Sequence, residues 1–251
     1  MTLPKAIVFD LDGTLAVSKS PLAEDMAAIL ERLLERMQVA VTSGASLEQF
    51  MGQFVSHLTP ASRLSNLYLL PTSGAALYTF ENGTWSKVYA ETMTDAQMDE
   101  AERAIAESLD KTGMVLPPSY GPRVERRQRT QVAFSAVGQR APVEVKRVWD
   151  PDQEKRRKLV DIIKPLLPWA EVRIGGMTTI DITRKGIDKR YGVEHLARRL
   201  NLQITDMLYV GDALFPGGND EVVIGSGIQV HAVKDPAETA EFLTALLLVA
   251  E

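Results

Sequence analysis

Two carboxylates one residue apart, Asp10 and Asp12, close an apolar run that begins at Ala6 and leads into Gly13-Thr14-Leu15. Side chains alternate faces along a strand, so residues two apart at its end can face one pocket. Two anions held together call for a cation or a proton. Gly13 permits a sharp turn that a Cβ would make costly, and Thr14 adds a hydroxyl that can hold the loop. A second acidic stretch, Gly211-Asp212-Ala213-Leu214-Phe215-Pro216-Gly217-Gly218-Asn219-Asp220, follows another apolar run that starts at Met207. Loops after strands are where ligands bind in open α/β sheets. Asp10, Asp12, Asp212 and Asp220 together form an oxygen-rich set suited to a hard divalent cation such as Mg²⁺. No histidine lies within either motif, which argues against zinc.

Carboxylates alone would repel a phosphate. A metal and a lysine that reverse the local sign would suit phosphoryl transfer, whose catalysis is largely positioning and charge neutralisation. One carboxylate can attack phosphorus and form an aspartyl-phosphate, while a second protonates the leaving oxygen and activates the next acceptor. Asp10 suits the first role and Asp12 the second.

The elements that must position these residues follow an alternating grammar. After the opening strand, Ser20-Pro21 reads as a helix start, with Leu22, Met26, Ile29, Leu33 and Met37 as an apolar stripe. Val39–Val41 reads as a strand, and Ser46-Leu47-Glu48-Gln49 as a capping box that opens a helix with Leu47, Met51, Phe54 and Leu58 inward. Strands are expected at Leu67–Leu70 and Ala75–Phe80, followed by an Asn82-Gly83 hairpin turn. From about Lys87 the pattern changes. A helix opened by Thr94 precedes expected strands at Gln131–Val137 and Val143–Trp149. Asp150-Pro151-Asp152-Gln153 caps a further helix, and strands are expected near Glu171–Ile174 and Met177–Thr183. The first grammar resumes with a helix from Asp188, the strand Met207–Gly211, a short strand at Val222–Ile224 and a helix after Pro236. The Leu-rich segment 243–250 reads as the buried face of that last helix. The expected fold is α/β, a doubly wound parallel-sheet core carrying an inserted α+β domain. Its segments are 1–85 and 186–251 for the core and 86–185 for the insert.

Composition sets outer limits. Hydrophobic residues make up 45% and charged residues 24%, which is ordinary for a globular chain and excludes disordered and fibrous classes. A formal charge of −5 gives no basic field for a nucleic-acid backbone, and the run Lys155-Arg156-Arg157-Lys158 reads as a solvated helix face. The absence of cysteine excludes disulfide scaffolds and cysteine-based zinc sites. His57, His195 and His231 show no ligand spacing. No apolar run approaches the ~20 residues of a membrane span, and few residues precede the first strand. The expectation is a cytoplasmic protein that binds neither membrane nor nucleic acid; whether it is a homodimer is open.

Asp10-x-Asp12-Gly13-Thr14, a hydroxyl residue after the second strand, a downstream lysine and Gly211-Asp212…Asn219-Asp220 resemble the four motifs of the haloacid dehalogenase superfamily. The resemblance implies Asp10 as nucleophile, Asp12 as acid/base, Ser43 or its neighbour Thr42 as phosphate hydrogen-bonder, and Lys189 as charge neutraliser. It implies Mg²⁺ held by Asp10, the Asp12 carbonyl and Asp212, with Asp220 in support, and a mobile α/β cap of the Cof-like branch as the insert. A narrower resemblance, to eukaryotic-type phosphomannomutases, covers nearly the whole chain. It rests on Gly186-Ile187-Asp188-Lys189-Arg190-Tyr191, Pro216-Gly217-Gly218-Asn219-Asp220-Glu221 and Gly175-Gly176 before a strand containing Asp181. That resemblance implies Arg129, Arg140 and Arg147 on a distal phosphate and Thr179 and Asp181 on a sugar, with Lys19 and Asn219 as further substrate contacts. It also implies a small phosphorylated sugar as substrate.

The chain departs from that family's pattern at Lys19, where the family has an arginine, at Thr179 for a serine and at Ile187 for an aromatic residue. Thr42-Ser43-Gly44-Ala45 replaces a glycine-richer segment. A lysine lacks the planar fork that grips phosphate bidentately. Two enzymatic readings therefore stand, a phosphohexomutase and a sugar-phosphate phosphatase. A binding module without catalysis is a third, and having both Asp10 and Asp12 speaks against it. Lys185 is a nearby alternative to Lys189, and Arg123, Arg126 and Arg127 compete as surface charges with the three arginines named above.

Overall fold

The structure, a computed structural model, describes residues 3–59 and 62–249. In chain order the elements are β1 (Ala6–Asp10), α1 (Glu24–Leu34), β2 (Gln38–Thr42), α2 (Leu47–Gln53), β3 (Leu67–Leu70), β4 (Ala76–Glu81) and β5 (Thr84–Ala90). There follow α3 (Asp95–Thr112), β6 (Val124–Arg127), β7 (Gln131–Ser135), α4 (Val143–Trp149), α5 (Glu154–Leu166), β8 (Ala170–Gly175) and β9 (Thr179–Arg184). The chain finishes with α6 (Lys189–Leu200), β10 (Met207–Gly211), α7 (Glu221–Ile224), β11 (Gln229–Ala232) and α8 (Pro236–Val249). These elements form two compact units, one running up to Ala90 and resuming at Lys189, the other Glu91–Asp188.

The first unit is built on a seven-stranded sheet in the order β11-β10-β1-β2-β3-β4-β5. The strands from β11 to β3 pair in parallel, and β4 and β5 extend them in antiparallel. Both faces are covered, as continuous apolar strands require. Ile7 and Phe9 of β1 lie with Met26, Leu30 and Leu33 of α1 and Leu243 and Leu247 of α8 in one cluster. Ala6 and Val8 lie with Val193, Leu196 and Ala197 of α6 in the other. By the same alternation Asp10 falls on the side of Ala6 and Val8, the side α6 covers. Its register partner in β2 is Thr42.

The second unit is a four-stranded antiparallel sheet in the order β6-β7-β9-β8. One face, carrying Val132, Phe134, Ile180 and Ile182, packs on Met98 and Ile105 of α3 and Leu159 and Ile163 of α5. Alternate residues, Ser135, Thr179 and Asp181 among them, take the opposite face.

Several boundaries differ from the sequence expectations. Val143–Trp149 is a helix, α4, and not a strand. Val143 and Val145 suggest a period of two, but the buried residue of the helix is Lys146, and Pro142 with φ −59° stands at the cap. Proline pre-set at a helix start outweighs a short alternation. Val222–Ile224 belongs to the single turn α7, and the parallel edge strand is β11, beyond Gly227 at φ +84°. Short apolar runs do not distinguish helix from strand by pattern alone. α1 begins at Glu24, because the Leu22 N–H bonds the Gln53 carbonyl outside the helix. Met37 lies beyond its end and is still buried. Ser46 and Gln49 do form a capping box, and the fully buried side chain of α2 is Phe50. In the Leu-rich segment, Leu243 and Leu247 are buried; residue 250 lies outside the described residues. Arg156 overturns the expectation of a solvated basic run, since it is 2% exposed. No helix among the described residues is long and apolar enough to cross a membrane.

Candidate active site

The end of β1, the loop after β10 and the first residue of α6 bring one lysine among several acids. Lys189 Nζ donates to Asp10 Oδ1 and to Asp220 Oδ1, each at 2.6 Å, and all three side chains are almost wholly buried. The placement follows from the fold: α6 covers the face to which Asp10 turns, and Lys189 opens α6. Asp220 is held further by the Tyr209 hydroxyl on Oδ1 at 2.6 Å and by the Ala213 N–H on Oδ2 at 3.1 Å. Both its oxygens are engaged. Gly211 is needed beside it, because a Cβ there would come within 2.5 Å of Asp220 Oδ2.

Asp212 is tied to the opening motif. Thr14 Oγ1 donates to Asp212 Oδ1 at 3.2 Å and accepts from the Asp212 N–H at 3.0 Å. Gly13, at φ +95°, passes so near that a Cβ would lie 2.5 Å from Asp212 Oδ2. Both the backbone conformation and the lack of space exclude any other residue.

Asp12 sits in a net of donors. Its Oδ1 accepts from the Lys19 N–H at 2.6 Å and from Gln53 Nε2 at 3.2 Å, and its Oδ2 from the Ser43 hydroxyl at 3.3 Å. Lys19 delivers its N–H from a left-handed backbone, φ 56°, and its side chain is exposed. Ser43 Oγ also accepts the Ala45 N–H at 3.1 Å. Thr42, in contrast, has a buried hydroxyl with no hydrogen-bond partner among the described residues.

Electrostatics follow from one cation among three acids. Burial pushes the Asp10 carboxyl well above its ordinary value; Lys189 pulls it back, and Asp220 and Asp212 push it up again. Burial likewise raises Asp212, with Asp220 adding to the rise. For Lys189 burial disfavours the ammonium, but Asp10 and Asp220 outweigh it and its pKa is raised. Burial, with Asp220 and Asp10, pushes the Tyr209 phenol well up. Oxygens of Asp10, Asp212 and Asp220 lie within 4.8 Å of one another. An all-oxygen, net-negative set of this size fits a hard divalent cation. Asp10 and Asp212 each keep an oxygen that no other described group engages, whereas Asp220 is committed to Lys189, Tyr209 and Ala213. Asp12 is not in that set of side chains.

A family model for eukaryotic phosphomannomutase matches residues 26–249. The chain belongs to the eukaryotic phosphomannomutase family. The phosphomannomutase of Saccharomyces cerevisiae is 24% identical over 246 residues, 96% of this chain and 93% of that protein. The phosphomannomutase of Encephalitozoon cuniculi is 25% identical, covering 92% of this chain and 89% of that protein. Phosphomannomutase 1 of Homo sapiens is 22% identical, covering 93% and 88% respectively. Among solved structures, an IMP-nucleotidase of Plasmodium falciparum superposes with TM-score 0.68 at 15% identity, covering 98% of this chain and 68% of that one. A trehalose-6-phosphate phosphatase related protein superposes with TM-score 0.57 at 17% identity, covering 98% of both chains. The fold is that of the haloacid dehalogenase superfamily, and the phosphomannomutase family makes the chain a phosphotransferase of that type.

In the inserted unit the arginines sort differently from the sequence expectation. Arg129 lies on the β6–β7 turn at φ 61°, more than half exposed, and pairs with Asp95 at 2.9 Å. Arg140 and Arg147 are exposed. Arg127, outside the three arginines expected at a distal phosphate, is 6% exposed and donates to Gln131 Oε1 at 3.0 Å and Gln139 Oε1 at 2.9 Å, with Asp181 Oδ1 at 3.8 Å. Arg123 donates to the carbonyls of Ala136 and Pro117, and Arg126 to Asp99 and Glu102. Thr179 and Asp181 crowd Gly175, where a Cβ would collide with both side chains. Lys185 is exposed and donates to the Pro168 carbonyl. Asn219 is half-buried on the Asp212–Asp220 loop. Gln53, Tyr209 and Arg127 were not singled out from sequence. Only Tyr209 carried a signal: a buried tyrosine needs a partner for its hydroxyl.

Proposed function

We propose that the chain interconverts hexose 1- and 6-phosphates by Mg²⁺-dependent phosphoryl transfer through a phosphorylated Asp10. The observation that carries the reading is Lys189 bridging Asp10 and Asp220 at 2.6 Å each, within a family of phosphomannomutases. Lys189 occupies Asp10 Oδ1, which leaves Oδ2 to attack phosphorus. As the Oδ2–P bond forms, the bond from phosphorus to the sugar oxygen breaks, and Asp12 delivers a proton to that oxygen. Asp12, now a carboxylate, takes the proton of the next acceptor hydroxyl, whose oxygen attacks phosphorus and frees Asp10. Asp10, the Asp12 carbonyl and Asp212 would hold Mg²⁺, and Asp220 would support them by fixing Lys189. When bound, the cation neutralises phosphoryl oxygens.

Of the two hydroxyls considered for phosphate, Thr42 suits the role better than Ser43. Its Oγ1 is buried and unpartnered beside Asp10 in register, whereas Ser43 is engaged by Asp12 and Ala45. The inserted segment, 86–185, serves as the cap, and its arginines grip the second phosphoryl group. Arg140 and Arg147, both exposed, take that role and Arg129 is the weakest member, since it pairs with Asp95. Thr179 and Asp181 meet the sugar, and Lys19 and Asn219 contribute from the core. Lys19 in place of an arginine supports the second reading, a sugar-phosphate phosphatase, because a looser grip lets water compete for the phosphorylated Asp10.

Incubation with mannose 1-phosphate and Mg²⁺, with and without glucose 1,6-bisphosphate, separates the two. Mannose 6-phosphate formed only with the bisphosphate is the result expected; inorganic phosphate as the main product would replace the mutase by the phosphatase.

A further inference from the structure

Gln53 is the last residue of α2, and its place is fixed from both ends of that helix. The Ser46/Gln49 capping box sets where the helix starts, and buried Phe50 and Phe54 on either side of Gln53 set its rotation. From there Gln53 makes two contacts to the loop that follows β1. Its side-chain Nε2 donates to Asp12 Oδ1 at 3.2 Å, and its backbone carbonyl accepts the Leu22 N–H at 2.9 Å. One residue therefore ties both the beginning and the end of the 12–22 segment. Within that segment the left-handed Lys19 turns its N–H back onto the same Oδ1 at 2.6 Å.

Oδ1 of Asp12 thus carries two donors, neither of which can take up a proton from it: a backbone amide and a side-chain amide. Among the described residues the remaining oxygen, Oδ2, meets only the Ser43 hydroxyl, a longer contact at 3.3 Å from a group that can rotate away. We infer that Gln53 is a positioning residue that locks the Asp12 carboxylate in one rotamer, so that Oδ2 is the oxygen that exchanges the proton with the substrate. The inference rests on the acid–base role proposed above for Asp12. A neutral amide suits this task. It fixes direction without adding a competing proton, whereas a lysine would add a cation beside the site.

The test uses leaving groups that differ in their need for a proton. A hexose phosphate expels an alkoxide and needs the acid; p-nitrophenyl phosphate expels a stable phenoxide and needs it little. For Gln53→Met, which keeps the length but not the donor, kcat/KM on the hexose phosphate falls about tenfold, the effect of misplacing one hydrogen-bonded group. kcat/KM on p-nitrophenyl phosphate and the thermal midpoint stay close to wild type, because that ratio covers only the step in which the leaving group departs, and it is the quantity compared for every variant below. Gln53→Asn tests whether reach as well as chemistry matters, and gives the same selective loss.

Asp12→Ala run beside them separates the two levels. A large loss on the hexose phosphate and a small one on the aryl phosphate supports the acid–base role. If Asp12→Ala shows that pattern and Gln53→Met loses both substrates equally, or neither, the inference is overturned and the acid–base reading stands. If Asp12→Ala loses both equally, the acid–base reading falls and the Gln53 inference with it.

Discussion

Two of the places where the molecule buries charge do so in opposite ways. In the inserted unit Arg156 meets a single carboxylate, Asp150, at 2.8 Å, and its other nitrogens donate to the carbonyls of Asp150, Gly175 and Gly176. The Asp150 oxygens in turn accept the N–H groups of Lys155 and Arg156 at the start of α5. One cation, one anion and a full set of hydrogen bonds leave no residual charge. In the core Lys189 is set against Asp10, Asp212 and Asp220, and acid remains in excess. A balanced buried pair fixes structure; an unbalanced one waits for something to complete it. That contrast, more than burial itself, separates a scaffold from a reactive site.

The sharpest break comes from Asp10→Asn. The amide keeps the shape and still accepts from Lys189, but cannot attack phosphorus, so turnover falls by about 10⁴ or more. Residual mutase or phosphatase activity within tenfold of wild type would remove the covalent mechanism. On the structural side, Arg156→Met strands Asp150 in the interior and costs about 3–5 kcal/mol of stability in chemical denaturation. Replacing Asp150 by Asn in the same chain recovers part of that loss, and a strictly additive double variant would show that the pair does not act as one.

A divalent cation should distinguish the clusters next. Mg²⁺ at about 100 times its dissociation constant stabilises the folded chain by about 2.7 kcal/mol, read as a rise in the thermal midpoint that EDTA reverses. Asp212→Asn abolishes the shift and Arg156→Met leaves it intact; the reverse pattern would move the metal out of the core. The smallest effect is in pH, and its sign is opposite in the two places. Burial alone would raise Asp150, but the Arg156 guanidinium and two N–H groups outweigh it and lower its pKa. Its contribution is full above the unfolded carboxylate value of ~3.9 and fades as pH falls through the lower folded value. Asp10 is raised, so the metal-free core is favoured at low pH and loses stability as pH climbs from ~3.9 toward the folded value. Denaturation series from pH 3 to 7 on Asp150→Asn and Asp10→Asn should flatten opposite slopes.

How much of this was legible in the sequence depended on whether a residue's role was written in its local spacing. The places of Asp10 and Asp12 at the end of an apolar run, and of Asp212 after another, could be read directly, as could the capping box at Ser46 and the helix start at Thr94. Parallel order and two covering helix layers followed from the alternation of elements. Arg156 could not be read, because a run of four basic residues describes a solvated surface and its partner Asp150 is brought in only by the turn before α5. Arg127 and Arg129 are alike in sequence; the β6–β7 register turns one inward and leaves the other on the turn. Gln53 was illegible for the same reason. Nothing in the sequence says that the end of α2 meets the loop after β1.

The Thr14–Asp212 and Gly13–Asp212 contacts span 198 positions or more of chain, and β1 itself finds one of its neighbours only when β10 arrives. During synthesis Asp10 is therefore made early, with Lys189 and Asp212 still untranslated. Contacts of such separation form late and slowly, since the intervening chain must be closed first. The cluster that would react with a phosphorylated sugar cannot assemble in a half-folded chain, so acquisition of activity doubles as a report that folding is complete.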